Sequence, residues 1–136
     1  MSILLTPILC MAINSYHEAR GTSQAEQEAV NKVVMARAEK SHVDYCAVVF
    51  KKNQFSWANS VKRKDKFHSY KEMLSYYNIQ DEKSWINVVG LAYISKLTHK
   101  DKDVIYYHDK SIKSFKDVKG VSVAYTTKNF VFYKTY

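Results

Sequence analysis

Apolar residues recur at helical spacing through the first two thirds of this chain and gather in short β-type runs through the last third. Helices and strands therefore do not alternate as βαβ units would, which leaves an α+β class with segregated elements. The first helix is expected to begin at Pro7, with Thr6 as its N-cap and the proline at a position that needs no amide donor. Ile8, Leu9, Ala12, Tyr16 and Ala19 fall on one face. Gly21 is the natural stop, because it takes a left-handed conformation at little cost. Glu18 and Arg20 then sit in the last turn.

Ser23-Gln24-Ala25-Glu26 reads as a capping box, with the Ser hydroxyl and the Glu carboxylate each satisfying an orphan amide. A second helix follows to about Glu39, its inner face continued by Ala29, Val30, Val33 and Ala36 or Arg37. Asp44 caps a short helical turn over Tyr45 to Phe50. Gln54-Phe55-Ser56-Trp57 alternates polar and apolar residues over too short a span for a strand. Ser69 to Tyr77 reads as a helix, and Asp81 or Ser84 caps the next, through Leu97. Val104 to Tyr107 is a strand. Val121–Tyr125 and Phe130–Tyr133 form a terminal hairpin around a polar turn from Thr126 to Asn129.

The 136 residues make one expected domain over 1–136, with no separate second domain. Hydrophobic residues are 46% and charged residues 25%, which excludes a disordered tail. The stretch from Ile3 to Ile13 is interrupted by Thr6 and Pro7 and falls short of the roughly 20 apolar residues a membrane span needs. It also lacks a basic flank, so no signal peptide is expected. Twenty-one Lys and Arg against 13 Asp and Glu give a charge of +8, which suits anionic partners. Lys and Asp alternate at Lys100 to Asp103, however, as on a solvated surface. Cys10 and Cys46 allow at most one bridge; both lie in apolar runs and read as buried thiols.

His17-Glu18 would suggest a zinc protease, but Gly21 stands where H-E-x-x-H needs its second histidine. No other metal-ligand spacing joins His17, His42, His68, His99 and His108, so no metal is expected. No glycine-rich phosphate loop is present, and no cofactor is expected. Glu18 is the carboxylate of interest. At a helix C-terminus the macrodipole disfavours its charge, and burial near aromatic rings disfavours it further. A carboxylic acid kept protonated near neutral pH is what a general acid requires. The simpler reading is an exposed Glu paired with Arg20 or a lysine. Tyr106, Tyr107, Tyr125, Tyr133 and Tyr136 cluster in the β-rich part, where rings with polar tips suit sugar faces or simply a half-buried sheet.

Ala12-Ile13-Asn14-Ser15-Tyr16-His17-Glu18-Ala19-Arg20-Gly21 resembles the opening motif of the SleB-type cell-wall hydrolases, the spore-cortex lytic enzyme family. Gln27 to Arg37 resembles the family's second helix, and Cys46 to Phe50 its C-x-V-V-Y segment. Gln54-Phe55-Ser56-Trp57 matches its Q-F-S-W. Tyr106-Tyr107-His108 resembles its H-Y-H, and Asn129 to Tyr133 its closing strand. The resemblance implies a lysozyme-like α+β fold, a helical main part with a small antiparallel sheet or hairpin toward the C-terminus. It implies cleavage of the β-1,4 bond from N-acetylmuramic acid to N-acetylglucosamine, with Glu18 as the acid.

Many members are lytic transglycosylases, in which one carboxylate acts as acid and then as base. An ordinary glycosidase needs two carboxylates, for which Asp44 and Asp109 are the candidates here. Gln54, Ser56 and Tyr107 are expected to position the sugar, joined by His108 and by Phe55, which with Trp57 packs behind them. Two departures stand out. Ser111 to Lys119 offers only Phe115 where the family has a Trp-containing stretch, and Thr22 replaces a common acidic residue.

Small size, high Lys content and the lack of an export signal resemble a bacteriophage endolysin, which accumulates in the host cytoplasm and reaches the wall after release. The expected partner is the peptidoglycan glycan strand, with the anionic envelope as a second surface. No nucleic acid and no oligomer are expected. Two alternatives remain: a hydrolytic muramidase using the same site, and a basic, non-enzymatic nucleic-acid or glycan binder in which Glu18→Gln is silent.

Overall fold

The computed structural model describes residues 2–99, 103–111 and 120–135. Six helices precede a three-stranded sheet among these residues, and a two-stranded ribbon, β1 (Ile3–Leu4) with β2 (Lys66–Phe67), clips the helical part together. The fold class is thus α+β, with the segregation that the two hydrophobic periods imply.

Helix α1 (Pro7–Ala19) starts where local chemistry places it. Thr6 Oγ1 accepts from Leu9 N at 3.2 Å, and Gly21 follows the helix at φ +84°. The single apolar stripe expected for this helix is too narrow a description. Cys10, Met11, Ala12, Ile13, Asn14, Ser15 and Tyr16 are all buried. A helix apolar on nearly every side becomes a central one. Here α1 is surrounded by α2 (Gln24–Ser41), α3 (Tyr45–Val49) and α6 (Glu82–Leu97).

The caps expected for α2 and α3 form, and of the two residues open for α6 it is Asp81 and not Ser84. Ser23 caps α2, Asp44 caps α3 and Asp81 caps α6, each accepting a backbone N–H two or three residues into its helix. Ser69 does the same for α5 (Tyr70–Tyr76). Gln54 and Phe55 lie in a turn, and Ser56 opens the single turn of α4 (Ser56–Asn59).

Two expectations are corrected. Cys10 and Cys46 are buried, but they are bonded to each other and not free thiols. The packing of α3 on α1 brings their Cα atoms to 5.1 Å, inside the range a disulfide spans. The capping box is also only half formed. Ser23 Oγ accepts from Glu26 N at 3.2 Å, but the Glu26 carboxylate turns away to the loop between the last two strands.

The sheet has the order β3 (Val104–Asp109), β5 (Phe130–Thr135), β4 (Val121–Thr126), antiparallel throughout. The expected terminal hairpin is β4–β5, and β3 adds on its other side. Phe130, Phe132 and Val104 pack on Val30, Val33 and Ala29 of α2, making a second, smaller core beside the one around α1. Tyr107 of β3 packs against both cores, so it stands where the helical part and the sheet meet.

Candidate active site

The last turn of α1, the turn before α4 and strand β3 together enclose a cleft of about 430 Å³. Glu18, Gln54, Phe55, Ser56, Tyr107 and His108 all line it. The candidate acid and the candidate sugar-positioning residues thus line one cleft, although they come from three separate segments.

Glu18 is partly buried at the inner end. Tyr107 donates its hydroxyl to Glu18 Oε1 at 2.7 Å, across 89 residues of sequence. No described residue bonds Oε2. Burial raises the Glu18 pKa above its ordinary value, and the Tyr107 hydrogen bond moderates the rise because it favours the ionised form. Burial and the neighbouring carboxylate push the Tyr107 hydroxyl well above its own ordinary value, so it remains a donor. Pairing of Glu18 with Arg20 is not seen. Arg20 instead bonds the Tyr16 hydroxyl and lies over the Tyr16 ring, 4.5 Å from its centre.

Arg37 is the functional candidate that sequence reasoning passed over. It sits on the inner face of α2 and donates Nε to the carbonyl of Ile105 at 2.6 Å and Nη1 to Gln54 Oε1 at 2.5 Å. Its guanidinium also lies over the rings of Phe55 and Tyr106. Arg37 thereby ties α2, the α4 turn and β3 to one another and fixes the Gln54 amide at the cleft edge. The available signal was a cation at an inward-facing helical position, where a charge needs partners.

Phe55 is only 2% exposed, so it backs the cleft while Ser56 stands open at its mouth. Behind them Trp57 donates Nε1 to Asn14 Oδ1 at 2.9 Å and stacks on the His17 ring. His17 in turn donates Nε2 to the Tyr77 carbonyl at 2.7 Å. Asn14 and His17 of the opening motif thus brace Trp57 behind the cleft. At the other end, His108 donates Nδ1 to the Asp109 carbonyl and receives the Tyr133 hydroxyl at Nε2, at 2.8 and 2.7 Å.

Asp109 lines the same cleft, two residues along β3 from Tyr107. The Ser111 N–H, donated at 2.8 Å, holds its carboxyl below the usual aspartate range. Asp44, the other carboxylate considered, is used up capping α3 at Ala47 N. Thr22 donates its hydroxyl to the Ala19 carbonyl at 2.7 Å, finishing the end of α1. The stretch 112–119, with Phe115, lies outside the described residues.

The sequence of residues 21–133 matches the family model described as Cell Wall Hydrolase. The chain belongs to that family. No curated protein and no solved structure matches it, so the lysozyme-like expectation rests on the resemblance alone. Membership makes this cell wall hydrolase a peptidoglycan-degrading enzyme. The family match takes in Arg37, Gln54 to Ser56 and Tyr107 to Asp109, and it starts just after Glu18. Glu18 stands out in this cell wall hydrolase by its place in the cleft. Among the described residues no helix is long and apolar enough to cross a membrane.

Proposed function

We propose that this cell wall hydrolase cuts the glycan strand at the N-acetylmuramic acid–β-1,4–N-acetylglucosamine bond as a lytic transglycosylase, with Glu18 as acid and then base. The observation that carries the reading is the Glu18 carboxyl in the cleft, held at Oε1 by Tyr107 with Oε2 left for substrate. Burial keeps a larger fraction of that group protonated than water would.

The chemistry follows from one carboxyl group. Glu18 gives its proton to the glycosidic oxygen as the bond to the anomeric carbon breaks, and the muramic ring takes on oxocarbenium character. The carboxylate then accepts the proton of the 6-hydroxyl, and that oxygen attacks the anomeric carbon. The product is a 1,6-anhydro end, no water is consumed, and Glu18 is protonated again. Gln54 and Ser56, which line the cleft with Tyr107, hold the sugar by hydrogen bonds. Phe55 supports them, and His108 shapes the far rim.

Asp109 favours one second reading. An ionised carboxylate in the same cleft is what a hydrolytic muramidase needs to activate water. Mass spectrometry of fragments from purified peptidoglycan separates the two. Fragments lighter by one water, lost in Glu18→Gln and kept in Asp109→Asn, are the expected result. Hydrated ends lost in both variants would make the enzyme a muramidase. No fragments from the native chain would overturn both.

A further inference from the structure

A second cavity, of about 490 Å³, opens on the other side of Arg37 and Gln54. These two residues line both spaces, so a single hydrogen-bonded pair divides the cavity from the Glu18 cleft. Strand β3 serves both spaces in turn: Ile105 and Tyr106 line the cavity, and Tyr107, His108 and Asp109 line the cleft. Nothing in the cleavage chemistry above uses this cavity, yet its size is that of a small-ligand site.

Its chemistry is one-sided. Lys40 at the end of α2 and Lys51 after α3 stand on its rim, and Arg37 forms its inner wall. Among the described residues no carboxylate pairs with Lys40 or Lys51. The acidic side chains nearby in sequence are engaged elsewhere, Asp44 with Ala47 N and Glu39 with His99. Between the cations the wall is apolar, with Val48 and the Tyr106 ring. A ligand that fits has carboxylates separated by short apolar side chains.

We propose that this cavity binds the carboxylate-bearing peptide that peptidoglycan carries on its muramic acid residues. The proposal rests on the glycan-cleavage reading for its orientation, since it is a muramic residue in the cleft that would send its peptide past Arg37 and Gln54. Lys40 and Lys51 take the peptide carboxylates, Val48 and Tyr106 take the alanine side chain, and Arg37 senses both halves of the substrate. The enzyme thereby prefers strands that still carry free-acid peptides over bare glycan.

The test needs no turnover. The full chain, labelled with nitrogen-15, is titrated with the dipeptide L-alanyl-D-isoglutamate and with the same peptide having both carboxylates amidated. The free acid is expected to shift the amides of Ala47, Lys51 and Tyr106, and the diamide is not. Lys40→Gln/Lys51→Gln should weaken the free-acid affinity about tenfold, and added salt should weaken it in the native chain. Equal shifts from acid and diamide, shifts confined to Glu18 and Tyr107, or no shifts would overturn the proposal. A chain that binds the acid at these amides but releases no glycan fragments upholds this site and refutes the cleavage reading. A chain that cuts glycan without these shifts does the reverse.

Discussion

Glu26 locks the terminal hairpin onto the start of α2, and removing it should loosen the sheet that carries Tyr107. The residue as a whole is 3% exposed. Its carboxylate receives the Thr127 hydroxyl at 2.5 Å, the Asn129 N–H at 2.9 Å and the Asn129 side-chain amide at 2.9 Å. Bonds to an ionised group contribute about 1.5 kcal/mol or more each, but the turn is half-exposed and its donors regain water, so Glu26→Ala should cost roughly 3 kcal/mol. For a chain of this size that is a fall in Tm of roughly 12 °C.

The pH dependence gives an independent check. Burial alone would raise the Glu26 pKa, but the bonds from Thr127 and Asn129, with Lys128 nearby, hold it below its ordinary value of 4.5. The native state then binds fewer protons than the unfolded chain. Its contribution is present above pH 4.5 and is lost as pH falls through the native value. Urea unfolding of both proteins at neutral pH and well below pH 4.5 should therefore show the difference between them shrinking in acid. A difference that is unchanged between the two conditions, or one under about 1 kcal/mol at neutral pH, would refute the reasoning.

Tyr107→Phe removes the bond that favours ionised Glu18, so the alkaline limb of the activity profile should move to higher pH while kcat falls; a limb moving to lower pH would contradict the assignment. Burial raises the Glu18 pKa, so its ionised form is a burden on the folded state; Glu18→Gln should melt higher than the native protein at pH 7, and the advantage should vanish below pH 4.5. His17 is held below its ordinary 6.5 chiefly by burial, so its contribution is present above pH 6.5 and is lost as pH falls through the native value. Thermal melts of His17→Gln should be flatter just below pH 6.5 than those of the native chain, and an unaltered slope would sink that view. The Cys10–Cys46 bridge spans 36 residues, for which chain entropy alone gives about 4 kcal/mol; Cys10→Ala/Cys46→Ala should lower the urea midpoint accordingly, and no change on reduction would count against it.

Elements with local causes are legible in the sequence. Thr6, Pro7 and Gly21 bracket α1, and Ser23, Asp44 and Asp81 cap the helices they precede, because a cap is made with atoms two or three residues away. The α+β class followed from two hydrophobic periods that never interleave. Glu18 could be singled out as a carboxylate at an unfavourable helix end, but whether it was exposed or buried could not.

What the tertiary structure alone decided is every partnership between distant residues. Periodicity says that a residue faces inward and not what it meets there. Arg37 looked like the tail of an apolar stripe and proves to join three elements through Ile105 and Gln54. Glu26 looked like half of a capping box and serves a turn 101 residues away. Two apparently separate thiols are one bridge, because α3 folds back on α1. The contact that turns Glu18 into a candidate acid, the Tyr107 hydroxyl, exists only once the sheet has closed over the end of the first helix.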